Sequence, residues 1–113
     1  MTNFFGFALA DSMFSGEATI RRRKLTVEKV AERVKAWVEP CLNPSHAATI
    51  AAMRDKFGLD VGIPATPPRV VLGSGDSVIV MGVRGLPRLT DRHEYTAEEV
   101  AKASFEFHEY SVE

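Results

Sequence analysis

The sequence predicts an α/β (α+β) fold, a single domain in which helices pack on one mixed β-sheet. Three observations predict it. Short apolar, aromatic-rich runs open and close the chain, two stretches repeat their apolar residues at helical spacing, and strand-like and helix-like segments alternate along the 113 residues. That length suits one compact domain, residues 1–113, which buries roughly two thirds of its unfolded surface without needing staples. No internal repeat, low-complexity tract or linker-like shift divides it.

The apolar run from Phe4 to Leu9, bounded by Asp11 and Ser12, reads as a central strand. Ala18 to Leu25 is a second strand, and its Arg21-Arg22-Arg23-Lys24 run suits a sheet edge, where charge blocks pairing with other chains. Val27, Val30, Ala31, Val34, Trp37 and Val38 then form one apolar helical stripe opposite Glu28, Lys29, Glu32, Arg33 and Lys35. Thr26 caps its start and Pro40 ends it. A second helix begins near Asn43-Pro44-Ser45-His46, with Asn43 or Ser45 as the cap, Ile50, Met53 and Phe57 on its buried face and Gly58 as its stop.

Leu59 to Arg69 holds three prolines and is an irregular stretch. Val70-Val71-Leu72, the turn Gly73-Ser74-Gly75-Asp76 and Val78-Ile79-Val80-Met81 are expected to form a hairpin. Gly85 to Tyr95 is polar and turn-rich. Thr96-Ala97-Glu98-Glu99 is a capping box that opens a short helix through about Ala103. A strand from Phe105 to Val112, with Phe105 and Phe107 on one face, closes the order ββααββαβ.

Composition excludes several functions. Hydrophobic residues make up 45% and charged residues 26%, which sets the chain apart from disordered proteins. The single cysteine, Cys41, rules out an internal disulfide framework or a cysteine-rich zinc module. Fourteen basic residues against fifteen acidic ones give a net charge of −1, far from the basic balance of a protein that coats nucleic acid. Stable binding of DNA or long RNA is not expected, whereas a small anion in a local pocket is compatible. The run Phe4-Phe5-Gly6-Phe7-Ala8-Leu9-Ala10 lacks the positive flank of a secretory signal and is shorter than the roughly 20 apolar residues of a membrane span. The expected location is the cytoplasm, with no membrane partner.

Most candidate chemical groups have a plain structural reading. A strand, not a helix amino terminus, follows Gly73 to Gly75, so those glycines make a turn and not a phosphate cradle. His46, His93 and His108 have no ligand spacing between them, and Asp91, His93 and Glu94 read as solvated, so no metal or cofactor is expected. Cys41 lacks an identifiable activating base and reads as an inert, partly buried thiol. Two candidates remain. His46 falls in the first turn of a helix, where unpaired N–H groups attract an anion beside an imidazole that moves protons near neutral pH; its plain alternative is a capping role. Arg84, Arg88 and Arg92 can grip phosphates, oriented by Asp91 or Glu94, or can belong to a solvated loop.

The pattern resembles the viral ring nucleases, small homodimeric type III anti-CRISPR proteins of archaeal viruses, phages and prophages. The resemblance covers nearly the whole chain. It runs through Ala8-Leu9-Ala10-Asp11-Ser12-Met13, Ser45-His46-Ala47-Ala48-Thr49, Gly75-Asp76, Arg88 to Glu94 before Tyr95-Thr96-Ala97-Glu98-Glu99, and the final aromatic strand. The family's Gly-His-x-x-Thr motif is similar to Ser45, His46 and Thr49, with serine in the glycine's place. Its arginine followed three positions on by a glutamate falls on Arg88 and Asp91, or on Arg84 in another register. Where the family carries Asn-Arg before the hairpin, this chain has Ala65-Thr66-Pro67-Pro68-Arg69, so Arg69 takes that ligand contact.

The resemblance implies metal-independent cleavage of cyclic tetra-adenylate by a C2 homodimer, in the host cytoplasm if the source is viral. It implies catalytic roles for His46, Arg88 and Asp91, and ligand binding by Ser12, Ser45, Thr49, Arg69 and Arg84. Two other functions fit the same residues: a module that binds the cyclic nucleotide without cleaving it, and a small dimeric nucleic-acid-binding regulator using Arg21 to Lys24.

Overall fold

A computed structural model describes residues 2–42, 47–64, 69–86 and 94–113. Phe4 and Phe5 set the architecture. They are neighbours in strand β1 (Asn3–Gly6), so their rings point to opposite faces, yet both are buried. A strand with both faces buried needs cover on both sides, and each side has its own apolar cluster.

The chain continues through a 3-10 turn (Asp11–Met13), strand β2 (Ile20–Leu25), helix α1 (Val27–Ala36), strand β3 (Glu39–Pro40), helix α2 (Ala47–Phe57), strand β4 (Ser77–Arg84), helix α3 (Ala97–Lys102) and strand β5 (Ser104–Val112). The five strands form one mixed sheet in the order β2-β5-β4-β1-β3. β1 is parallel to both β3 and β4, whereas β5 is antiparallel to β4 and β2. Four strands therefore run one way and β5 runs back between two of them.

Helices α1 and α2 cover one face. Val30, Ile50 and Met53 pack on Phe5, Ile79, Met81 and Phe107. The Phe57 ring meets Phe105 and Phe107 edge-on at 5.4 and 6.2 Å, so the two strand phenylalanines share a face as the alternation predicts. On the second face Val70 and Leu72, with Met13 and Phe14, cover Phe4, Val78 and Val112.

Local signals in the sequence set the helix ends. Thr26 Oγ1 accepts from the Lys29 N–H at 3.2 Å at the start of α1. Thr96 and Glu99 form the reciprocal capping box of α3. Gly58 stops α2 at φ 72°, with its N–H donated to the Arg54 carbonyl at 2.8 Å. The expected caps Asn43 and Ser45 lie outside the described residues. The charged strand Ile20–Leu25 is an edge, as expected, and pairs only with β5.

Four expectations need correction. No hairpin joins 70–72 to β4. Both edges of β4 are taken, by β1 and β5, so Leu72 instead makes an isolated parallel bridge to Phe14. The first strand ends at Gly6, three residues early, and lies one place from the sheet centre, which β4 occupies. A short strand, β3, stands where only the end of a helix was expected, because Glu39 and Pro40 pair with Phe4 and Phe5. Trp37 leaves the apolar stripe: α1 stops at Ala36, and Trp37, at φ 145°, is 71% exposed.

The turn before β4 has a structural purpose for its aspartate. Asp76 Oδ2 accepts from the Gly73 N–H at 2.9 Å and Oδ1 from the Thr2 N–H at 2.8 Å. Those two backbone bonds, to Gly73 first and then Thr2, hold its carboxyl below the ordinary carboxylate range. Asp76→Ala is expected to lower stability by about 1–2 kcal/mol in urea unfolding at neutral pH. The depressed value makes this contribution complete above the ordinary carboxylate range. It is lost as pH falls through the folded-state value, so the two proteins should converge in acid.

Candidate functional site

β1, β3 and β4 are adjacent and parallel, so their carboxyl ends open at one end of the sheet. The described chain that leaves those ends comprises residues 7–13, 41–42 and 85–86, and Ser12 is the one described ligand candidate among them. In open α/β sheets ligands bind just outside the carboxyl ends of parallel strands, where loops from neighbouring strands converge.

A cleft of about 250 Å³ lies between α2 and α3. Ala48, in the first turn of α2, lines it together with Glu94 and Tyr95, which lead into α3. Arg54 and Asp55 supply charge, and Ala51, Ala52 and Val100 an apolar wall. Lys56 fixes the pair of helices, donating to the Val100 and Ala101 carbonyls at 3.2 and 3.0 Å. A cation on the final carbonyls of so short a helix also opposes its dipole favourably.

The three catalytic candidates His46, Arg88 and Asp91, and the ligand candidate Ser45, lie outside the described residues, as do Arg92 and His93. Four ligand candidates are described. Thr49 is half-buried on α2, on the helical face of the sheet. Arg84 is exposed at the last position of β4. It alternates with Val78 and Val80, so it belongs to the opposite face. There it lines a cleft of about 270 Å³ with Gly82, Val83, Ser104 and Glu106. Ser12 and Arg69 are both exposed. Met13 and Phe14 pack with Val70 and Leu72 on the face away from the helices, so Ser12 and Arg69, the residues just before each pair, belong to that flank. The structure thus separates Arg84, and the flank that carries Ser12 and Arg69, from Thr49 by the thickness of the sheet.

A larger cleft, about 520 Å³, lies at the other end of the sheet, lined by Ser15, Glu17, Thr19, Ser74 and Glu113 among others. Glu17 and Glu113 line it with no cation, whereas Arg54 stands with Asp55 and Glu94 in the smaller cleft, so size alone does not make the larger one the anion site. Cys41 donates its Sγ–H to the Phe5 carbonyl at 3.2 Å, and burial pushes its thiol up, away from the reactive thiolate. Among the described residues no group of three potential metal ligands occurs, and no helix is long and apolar enough to cross a membrane.

Sequence reasoning missed two features. Glu109 is buried on the sheet and gripped by Arg23 at 2.7 Å and by Arg33. Only the β2–β5 register, which sets Arg23 opposite Glu109, reveals that pairing. Tyr95 and Arg54 in the cleft were missed because 41 positions of sequence separate them.

The fold is an α+β domain with a five-stranded mixed sheet and three helices. No family profile matches the chain, and no curated protein matches it. Among solved structures it is similar to B116 of Sulfolobus turreted icosahedral virus, at a TM-score of 0.71 and 17% identity over 98% of this chain and 99% of that one. At that identity the likeness establishes a shared fold over the full length of both chains.

Proposed function

We propose that this chain is a metal-independent ring nuclease that cleaves cyclic tetra-adenylate to linear adenylates. The observation that carries the reading is the 250 Å³ cleft: its lining residues Ala48 and Glu94 adjoin, in the chain, the segments that hold His46 and Arg88 to Asp91. The fold shared with a viral protein also favours a viral source, an anti-CRISPR role and action in the host cytoplasm.

The substrate supplies its own nucleophile. A ribose 2′-oxygen attacks the adjacent phosphorus, its proton passes to solvent, and the bond from phosphorus to the 5′-oxygen breaks. The departing 5′-oxygen takes a proton from His46, leaving a 2′,3′-cyclic phosphate on one side and a 5′-hydroxyl on the other. Arg88 stabilises charge on the phosphorane, and Asp91 orients Arg88 or His46. Ser45 and Thr49 contact the ring, whereas Ser12, Arg69 and Arg84 lie across the sheet from Thr49 and take no part at the same cleft within one protomer. Two-fold symmetry in a ring of four identical nucleotides matches a C2 homodimer with two equivalent sites.

Incubation with cyclic tetra-adenylate in EDTA tests the proposal. Linear products with cyclic phosphate ends are expected. An intact ring retained in complex would instead mark a binding module, and no affinity for the ring combined with salt-dependent duplex binding would mark a nucleic-acid-binding regulator.

A further inference from the structure

Strand β2 is the edge of the sheet far from β1 and β3, and the hydrogen bonds at its start show which of its backbone groups are free. The Glu113 N–H donates to the Thr19 carbonyl at 2.9 Å, whereas the Val112 N–H turns the other way, to the Asp76 carbonyl at 3.1 Å. Bonded and unbonded pairs alternate along an antiparallel ladder. Arg21, Arg23 and Leu25 therefore bond to β5, opposite Ser111, Glu109 and Phe107, while Ile20, Arg22 and Lys24 turn their N–H and C=O groups outward. Among the described residues no strand pairs with that outer edge. Its cations alternate between the two faces, Arg21 and Arg23 on the side of the helices and Arg22 and Lys24 on the other.

Two of these cations already have partners within the sheet. Glu109 holds Arg23 at 2.7 Å, and Glu106 stands 3.8 Å from Lys24. Arg21 and Arg22 are exposed, and among the described residues no carboxylate pairs with either. Arg22 Nε donates to the Tyr110 hydroxyl at 2.9 Å, and its guanidinium carbon lies 5.8 Å from the centre of that ring. The bond aims the guanidinium and leaves its terminal nitrogens to meet an incoming carboxylate. Ile20, on the same face as Arg22, is 42% exposed.

We propose that this edge binds an extended acidic segment of another protein, which joins the five-stranded sheet as a further strand, with carboxylates opposite Arg21 and Arg22 and an apolar side chain opposite Ile20. Three arguments single out that partner. The outward groups are donors and acceptors in equal number. A peptide backbone answers both kinds, whereas the phosphates of a nucleic acid only accept and answer the N–H groups alone. Pairing with a second copy of β2, centred on Arg22, sets Arg21 opposite Arg23 and Arg22 opposite itself, like charges that oppose the pairing. The charge that keeps identical edges apart thus selects for a strand of opposite sign. None of this draws on cleavage of a cyclic nucleotide.

The probe is a fluorescein-labelled peptide, Thr-Val-Glu-Glu-Val-Thr, titrated into the full chain at low salt, with amide exchange followed by NMR. Saturable binding is expected, with exchange slowed at Arg22 and Lys24, whose N–H groups face outward, and unchanged at Arg23, which is already in the ladder. The same peptide with lysine in place of both glutamates is expected to bind about tenfold more weakly or worse. The double variant Arg21→Glu, Arg22→Glu should reverse that preference. Ile20→Pro removes one outward N–H and keeps every arginine and every bond to β5, since proline is accepted where an edge N–H faces solvent. It should weaken the acidic peptide about fivefold. Absence of saturable binding overturns the proposal. So does equal affinity for the lysine peptide, or binding that leaves Arg22 and Lys24 exchanging as before. An oligothymidylate that binds more tightly than the peptide and displaces it also overturns the proposal, and would make the edge a nucleic-acid surface.

Discussion

His46→Ala is expected to bind cyclic tetra-adenylate as tightly as the unaltered protein and to cleave it about 10²–10⁴-fold more slowly. The size follows from the leaving group. A ribose 5′-alkoxide departs poorly from phosphorus unless it gains a proton as the bond breaks, and the attacking 2′-hydroxyl, held next to its target by the ring, needs less help. Binding depends on four phosphates and four bases, so a single imidazole contributes little to it. A chemical control separates an acid from a scaffold. If the bridging 5′-oxygen is replaced by sulfur, the leaving group departs without protonation, and the variant should recover most of the unaltered rate on that substrate. Arg88→Ala should not recover, because its deficit is in stabilising the phosphorane and not in protonating the leaving atom. Single-turnover cleavage of the two substrates by the two variants measures all four quantities. Equal deficits of His46→Ala on oxygen and sulfur would remove the imidazole from the chemistry.

Elements written in local chemistry were legible in the sequence. The Thr26 and Thr96 caps, the Gly58 stop and the buried positions Val30, Ile50 and Met53 each depend on neighbours within a few residues. The misreadings came from competition between distant segments. Residues 70–72 have the apolar, β-branched character of a hairpin arm, but β1 and β5 take both sides of β4. What decides this is the parallel pairing of Asn3 through Gly6 with Ser77 through Val80, more than seventy positions away. Trp37 fits the helical period and is nevertheless excluded, because the chain must turn at α1's end to bring Glu39 beside Phe4. At the site, four of the eight residues named from the sequence, Ser12, Thr49, Arg69 and Arg84, fall among the described residues. Spacing could not show that Thr49 and Arg84 fall on opposite faces, since that depends on which face of the sheet α2 covers.

The pairing of Glu109 illustrates the same limit, and it leads to the largest expected change in stability. The glutamate is 3% exposed, and its two oxygens are divided between Arg23 from β2 and Arg33 from α1. It therefore ties the charged edge strand to the helix above it. Burial alone would raise its carboxyl, but the Arg23 hydrogen bond and the charge of Arg33 outweigh that and hold it below its ordinary value of 4.5. Glu109→Gln keeps the shape and removes the charge, leaving two guanidiniums facing a neutral amide. Breaking a fully buried pair costs about 3–5 kcal/mol, but Arg23 is half exposed and Arg33 a quarter, so both regain some hydration. The expected loss is about 2–3 kcal/mol in urea unfolding near pH 7. Because the folded-state value is depressed, this stabilisation is complete above about pH 4.5 and disappears as pH falls through the folded-state value. Unaltered protein and variant should thus differ by a constant amount from neutrality down to that region and then draw together. A gap that stayed the same into strong acid would mean the carboxylate's charge is not what holds β2 to α1.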